Sequence, residues 1–192
     1  LAISQNIPIG ELLINRDLIP SSERKQLTDT LLNTENLMFT NAQYELNSTQ
    51  LINTLKYLAK AKKYDIIILD HISLVISGTH LSKNGERRDI DELMHRLSAL
   101  VKQTGLIVVA ACHLSNPEKG KSWDEGRKVG MYDLKGSSGL AQKPDVILGI
   151  SRNMKHPNDC DILQIEVLKN RWFSKLGDVD RLIYYTTTGR LL

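Results

Sequence analysis

The apolar positions of this chain change period several times, and each change marks a candidate element. Residues 21–33 and 48–62 read as helices. In the second, Leu51, Leu55, Leu58 and Ala59 recur at helical spacing behind Ser48, the expected N-cap. Each helix leads toward a short apolar run, at 36–40 and at 65–69. The second run, Asp65 followed by three isoleucines and Leu69, is continuous enough to predict a strand buried on both faces, the mark of a parallel sheet. Residues 86–104 then place Ile90, Leu93, Leu97, Leu100 and Val101 on one helical face, Gly105 ends that helix, and residues 106–111 form another buried strand. After a polar, glycine-containing stretch from 114 to 138, strands are predicted at 145–150, 162–168 and 182–185, the last two as a terminal hairpin. Alternation followed by a hairpin predicts an α/β layered sheet, mostly parallel, with an antiparallel edge.

Composition refines this picture only a little. At 192 residues, with 41% hydrophobic and 24% charged residues, the chain suits a single ordinary domain. The net charge of +3 is too small to argue by itself for a polyanionic partner, so local placement of charge must do so. Cys112 and Cys160 have no metal-type spacing, which fits a reducing compartment. The sequence lacks a run of roughly 18 apolar residues and a signal-peptide pattern, so no membrane partner and a soluble, intracellular protein are expected.

In such sheets, chemistry sits at the carboxyl ends of the strands. The strand at 65–69 ends in Asp70, a placement that suits a carboxylate holding Mg2+ beside nucleotide phosphates, although many strands simply end in Asp. The strand at 106–111 ends in Cys112 and His113 at the same sheet edge. That imidazole suits either a phosphate contact or satisfaction by nearby backbone. Lys169 and Arg171 follow the strand at 162–168, where they can face a phosphate or form an ordinary solvated basic turn. Lys119, Lys121, Arg127 and Lys128, with Lys135 and the amide of Gly136, suit a nucleic-acid backbone or a solubilising loop. Gly120-Lys121-Ser122 has the tail of a phosphate-binding loop, but Ser115 stands where the pattern needs glycine, and Gly126 and Gly130 interrupt the helix that should follow. Residues 114–130 are therefore read as a mobile loop. Tyr184 and Tyr185 alternate, one facing the core and the other a partner surface.

Taken in order, Ile68-Leu-Asp-His-Ile-Ser73, Cys112-His-Leu-Ser-Asn-Pro117 running to Gly120-Lys121, Asp133-Leu-Lys-Gly-Ser137 and Leu168-Lys-Asn-Arg171 resemble the helicase domain of phage primase-helicases and the mitochondrial replicative helicase. The likeness covers residues from about 35 to 192. It implies a RecA-like core acting in a hexameric ring, with ATP or another NTP and Mg2+ as cofactors and single-stranded DNA in the channel. By resemblance, Asp70 is the magnesium-associated Walker-B carboxylate and His113 the phosphate sensor. Arg171 is the arginine finger, assisted by Lys169, and Tyr184 stacks on the nucleotide base. Lys119, Lys121, Lys135 and Gly136 contact DNA. Ser115 replaces a lysine and Ala141 an arginine that the family often carries, which weakens the expected DNA grip.

The resemblance also implies that a phosphate-binding loop and the amino-terminal core strands, including the one bearing the catalytic glutamate, are missing from these residues. The chain is thus expected to be part of a replicative helicase, inactive alone, working with an upstream loop-containing segment or as one subunit of a ring. Localisation would be the cytoplasm, a host's if the protein is viral, or the mitochondrial matrix. The bare sheet edge predicts poor solubility of the isolated chain. Two alternatives remain: a non-catalytic module that completes a neighbour's ATPase site or binds DNA without hydrolysis, and a RecA-like recombination ATPase, which fits the words at 112–116 and 169–171 less well.

Overall fold

A computed structural model describes residues 7–32, 36–39, 47–72, 85–117, 120–136 and 138–192. Helices α1 (Ile9–Ile14) and α2 (Ser21–Leu32) precede α3 (Ser48–Lys60). The cap of α3 is Asn47, one residue before the expected Ser48: its side chain accepts from the Gln50 N–H, and the Gln50 side chain accepts from the Asn47 N–H. Asn reaches the third amide as well as Ser does, and this reciprocal pairing with Gln decides the position. Residues 36–39 lie outside any strand, with Phe39 exposed, and Thr40 falls outside the described residues. An apolar run without a strand partner gains nothing from extension.

Strand β1 (Ile66–Leu69) pairs in parallel with β2 (Ile107–Ala110), in the register Ile66 to Ile107 and Leu69 to Ala110. Helix α4 (Glu86–Thr104) connects them and stops at Gly105, whose φ of 73° is the left-handed conformation that glycine adopts without strain. Leu51 and Leu55 of α3 and Ile90, Leu93, Met94, Leu97 and Leu100 of α4 form the core, against which Ile67, Leu69 and Val108 pack. The expectation of strands covered on both faces is not met. Ile66 and Ile68 are 56% and 75% exposed, and Ile107 and Val109 are also exposed. Within the described residues only one face of this pair is covered.

The antiparallel part is larger than a terminal hairpin. Helix α5 (Gly139–Gln142) leads into β3 (Val146–Arg152), which pairs with β4 (Ile162–Asn170). Strand β4 pairs with β5 (Gly177–Tyr185), and β5 with β6 (Arg190–Leu191), all antiparallel. The connection at 153–161 is short enough to turn β3 directly back on β4, which a parallel crossover would not allow. Buried Glu166 on β4 is not orphaned: the Lys128 ammonium reaches it at 2.7 Å and also meets Asp178 of β5 at 3.2 Å. The molecule is therefore a mixed α/β fold, with a parallel pair backed by helices and an antiparallel sheet beside it.

Candidate functional site

Because β1 and β2 run parallel and in register, their carboxyl ends emerge side by side. The Ile72 N–H donates to the Ala111 carbonyl at 3.0 Å and fastens the two tips together. Asp70 stands exposed at the first tip, and no hydrogen bond or ion pair engages it among the described residues. One free carboxylate at a rigid strand end suits Mg2+, which takes few protein ligands and fills its octahedron with phosphate oxygens and water. No group of three or more His, Cys, Asp or Glu able to hold a metal occurs among the described residues.

At the second tip, the His113 ring meets the His71 ring edge-on, with centroids 3.9 Å apart. The Nδ1 of His71 is buried and has no hydrogen-bond partner among the described residues. Burial pushes the Cys112 thiol above its usual range, and its Sγ donates to the His113 carbonyl at 3.4 Å. The same carbonyl accepts the Lys135 N–H at 2.9 Å, while the Ser115 N–H donates to the Asp133 carbonyl at 2.7 Å. Leu114 and Leu134 between them form an antiparallel bridge. The chain leaving the sheet at His113 is thus hydrogen-bonded to the segment that carries Lys135 and Gly136.

The stretch 114–130, expected to be a mobile loop, is tied to the rest of the fold at several of its described residues. Glu125 bridges to Asn153, and the Trp123 Nε1–H donates to the Ser115 carbonyl at 3.1 Å. Lys155 reaches Asp124 and Glu125, and Lys128 reaches Glu166. Charged residues scattered along a polar stretch do not announce such partners, because those partners lie on β4 and in the turn that follows β3. Lys121 is exposed, as is Lys135, whereas Lys119 lies outside the described residues. Gly136 is held to glycine by packing: at its φ of 134°, an added Cβ would come within 2.6 Å of Ile90 on α4.

The other predicted residues gather elsewhere. Lys169 donates through Nζ to the carbonyls of Ala141 at 2.9 Å and Gln142 at 2.7 Å, capping α5. Arg171 pairs with Asp145 at 2.7 Å and donates to the Gln142 carbonyl at 3.2 Å. Burial, followed by the nearby Arg171 charge, pulls the Lys169 ammonium below its ordinary value. Tyr184 is half-buried with the Arg152 guanidinium over its ring at 4.9 Å, and its neighbour Tyr185 is exposed.

Sequence reasoning missed two features. His71 lies inside the word Ile68-Leu-Asp-His-Ile-Ser73, so its closeness to Asp70 was visible but its contact with His113 was not. Trp123 gave no periodic signal, being a single aromatic residue in a polar loop.

Comparison with known proteins agrees with this architecture. Residues 2–187 match the family described as DnaB-like helicase C terminal domain. A DNA helicase/primase of Enterobacteria phage T3 is 38% identical over 149 residues, which is 77% of this chain and 25% of that protein. A probable plasmid replicative DNA helicase of Chlamydia muridarum is 31% identical over 138 residues, 71% of this chain and 28% of that protein. The chain thus spans about a quarter of the length of these relatives. Among solved structures, one described as an ATPase domain superposes with a TM-score of 0.73 at 17% identity, over 97% of this chain and 66% of that one. A DnaB-like replicative helicase, described with its interactions with primase, gives a TM-score of 0.71 at 17% identity, covering 97% of this chain and 44% of that one. The fold is therefore that of DnaB-like ATPase domains, and the chain belongs to the DnaB-like helicase C-terminal domain family.

Proposed function

We propose that this chain is the part of a replicative helicase motor that converts events at a nucleotide into movement of a DNA-gripping loop. The observation that supports it is the continuous hydrogen-bonded path from the sheet tip to the basic segment, through the His113 carbonyl, the Lys135 N–H and the Leu114–Leu134 bridge. The His113 carbonyl accepts the Lys135 N–H, so in this reading a movement of the first is passed to the second through backbone.

In this reading Asp70 would hold Mg2+ beside the phosphates of ATP or another NTP. The metal, when bound, neutralises charge developing on the transferred phosphoryl group. His113 donates to the terminal phosphate and loses that contact when it leaves. Lys121, Lys135 and the Gly136 amide bind the backbone of single-stranded DNA, as does Lys119, giving the sequence-independent grip that translocation requires. Tyr184 stacks on the nucleotide base. Arg171 acts as the arginine finger toward a neighbouring subunit, with Lys169 beside it, once Arg171 releases Asp145. In this reading the phosphate cradle comes from another segment or subunit of a hexameric ring.

Binding of a fluorescent ATP analogue with Mg2+ tests the nucleotide half. The expected result is saturable binding that is lost in Asp70→Ala and retained in a variant of a distant surface residue such as Lys25→Ala. Equal binding by Asp70→Ala would overturn the assignment of the metal-holding carboxylate.

A further inference from the structure

The two basic loops are joined to each other as well as to the sheet. Arg127 stacks over the Trp123 ring with its guanidinium carbon 5.1 Å from the centroid, and its NH2 reaches Asp133 Oδ1 at 3.2 Å. The other carboxylate oxygen of Asp133 accepts the Gly130 N–H at 2.7 Å, and its carbonyl accepts the Ser115 N–H. Ser115 in turn accepts the Trp123 indole N–H. Asp133, Arg127, Trp123 and Ser115 therefore close a ring of contacts. Lys121 stands two residues before Trp123 on one loop, and Lys135 two residues after Asp133 on the other.

We propose that Trp123, Arg127 and Asp133 form a clasp that fixes the two basic loops against each other, so that Lys121 and Lys135 meet one nucleic-acid strand as a preset unit. The proposal rests on the DNA-binding reading of these loops and adds three positioning residues to it. Stability alone is a weak reason for the arrangement, because an ion pair with both partners partly exposed contributes little. The loop also has separate anchors in the Glu125–Asn153 bridge and the Lys128–Glu166 contact. A strand bound by two cations on independent loops must order both loops on binding, whereas a clasped pair is ordered beforehand and binds more tightly without any new contact.

The charge of Asp133 gives the test its sign. Removing a carboxylate beside basic loops should, by electrostatics alone, tighten binding to a polyanion. The clasp predicts the opposite. Fluorescence anisotropy with a labelled oligothymidylate of about 20 nucleotides, at about 50 mM salt, should show Asp133→Asn binding about tenfold more weakly than wild type. Lys121→Ala should then cost wild type about fivefold in affinity, and Asp133→Asn almost nothing further, since its loop is no longer presented. Thermal melting establishes that each variant is folded. If Asp133→Asn fails to fold, Arg127→Lys, which keeps the charge and loses the planar fork, is expected to weaken binding in the same way. Unchanged or tighter binding by the folded variant, or fully additive losses with Lys121→Ala, would overturn the clasp and leave the DNA-binding reading standing. No saturable binding by the wild-type chain would overturn both.

Discussion

The paired tips of β1 and β2 and the corner where β4 meets α5 both carry side chains suited to phosphates, and the chain treats them in opposite ways. At the tips Asp70 has no protein partner among the described residues, and the His113 imidazole meets another imidazole edge. At the corner both cations are already engaged, Lys169 on two carbonyls and Arg171 on the Asp145 carboxylate and the Gln142 carbonyl. A side chain with a local partner must give it up before acting elsewhere, at a cost of about 1 kcal/mol for a half-exposed pair. The tips incur no such cost. The tips thus keep Asp70 without a local partner among the described residues, whereas the corner's cations hold the fold through theirs.

The largest effect that would test this contrast is in Lys169→Met. It keeps the stem and removes two hydrogen bonds to the last carbonyls of α5, so urea denaturation should show a loss of about 2 kcal/mol. Asp70→Asn should leave stability nearly unchanged. If the two substitutions were equally mild, the corner would be no more occupied than the tips. Next in size, Arg171→Ala should cost about 1 kcal/mol, and a double-mutant cycle with Asp145→Asn should give a coupling of about 0.5 kcal/mol. Zero coupling would mean that Arg171 is already free to serve a neighbour.

How much of this was legible depends on the range of the interactions involved. Helix α4 was read residue for residue, because its apolar face and the Gly105 stop are local signals. The strands at 66–69 and 107–110, and the placement of Asp70 and His113 on one edge, followed from apolar runs and parallel alternation. The pairing of β3 with β4 was not legible, since antiparallel and parallel partners select the same β-branched residues. Neither was the engagement of Lys169 by α5, which depends on a carbonyl 27 residues away, nor the Trp123 ring of contacts, whose members only meet once the loops fold. Composition lists donors and acceptors, while topology decides which of them are left over for a ligand.

A smaller effect is expected at His71. Its Nδ1 is buried without a partner among the described residues, beside the edge-on ring of His113, and a buried nitrogen left unpaired costs the folded state. His71→Phe preserves an aromatic edge and removes the orphaned nitrogen, so it should raise stability by about 0.5 kcal/mol. Loss of stability instead would show that the nitrogen is satisfied in solution, and the tips would then be as internally committed as the corner.

The smallest effect is the pH dependence of the second tip. Burial holds the Cys112 thiol above its ordinary value, so the folded chain keeps that proton at a pH where the unfolded chain has lost it. The unfolded state binds fewer protons in that window, and stability must fall as pH rises through the ordinary thiol range toward the raised folded value. Lys169 acts with the opposite sign, because its lowered folded value makes the unfolded state the better proton binder, and stability gains from it as pH rises toward the ordinary lysine range. Urea midpoints compared between neutral and mildly alkaline pH should therefore show a shallower alkaline decline in Cys112→Ala than in wild type, and a steeper one in Lys169→Met. Identical slopes in all three would mean that neither group is desolvated, and that the two regions differ in their hydrogen bonds alone.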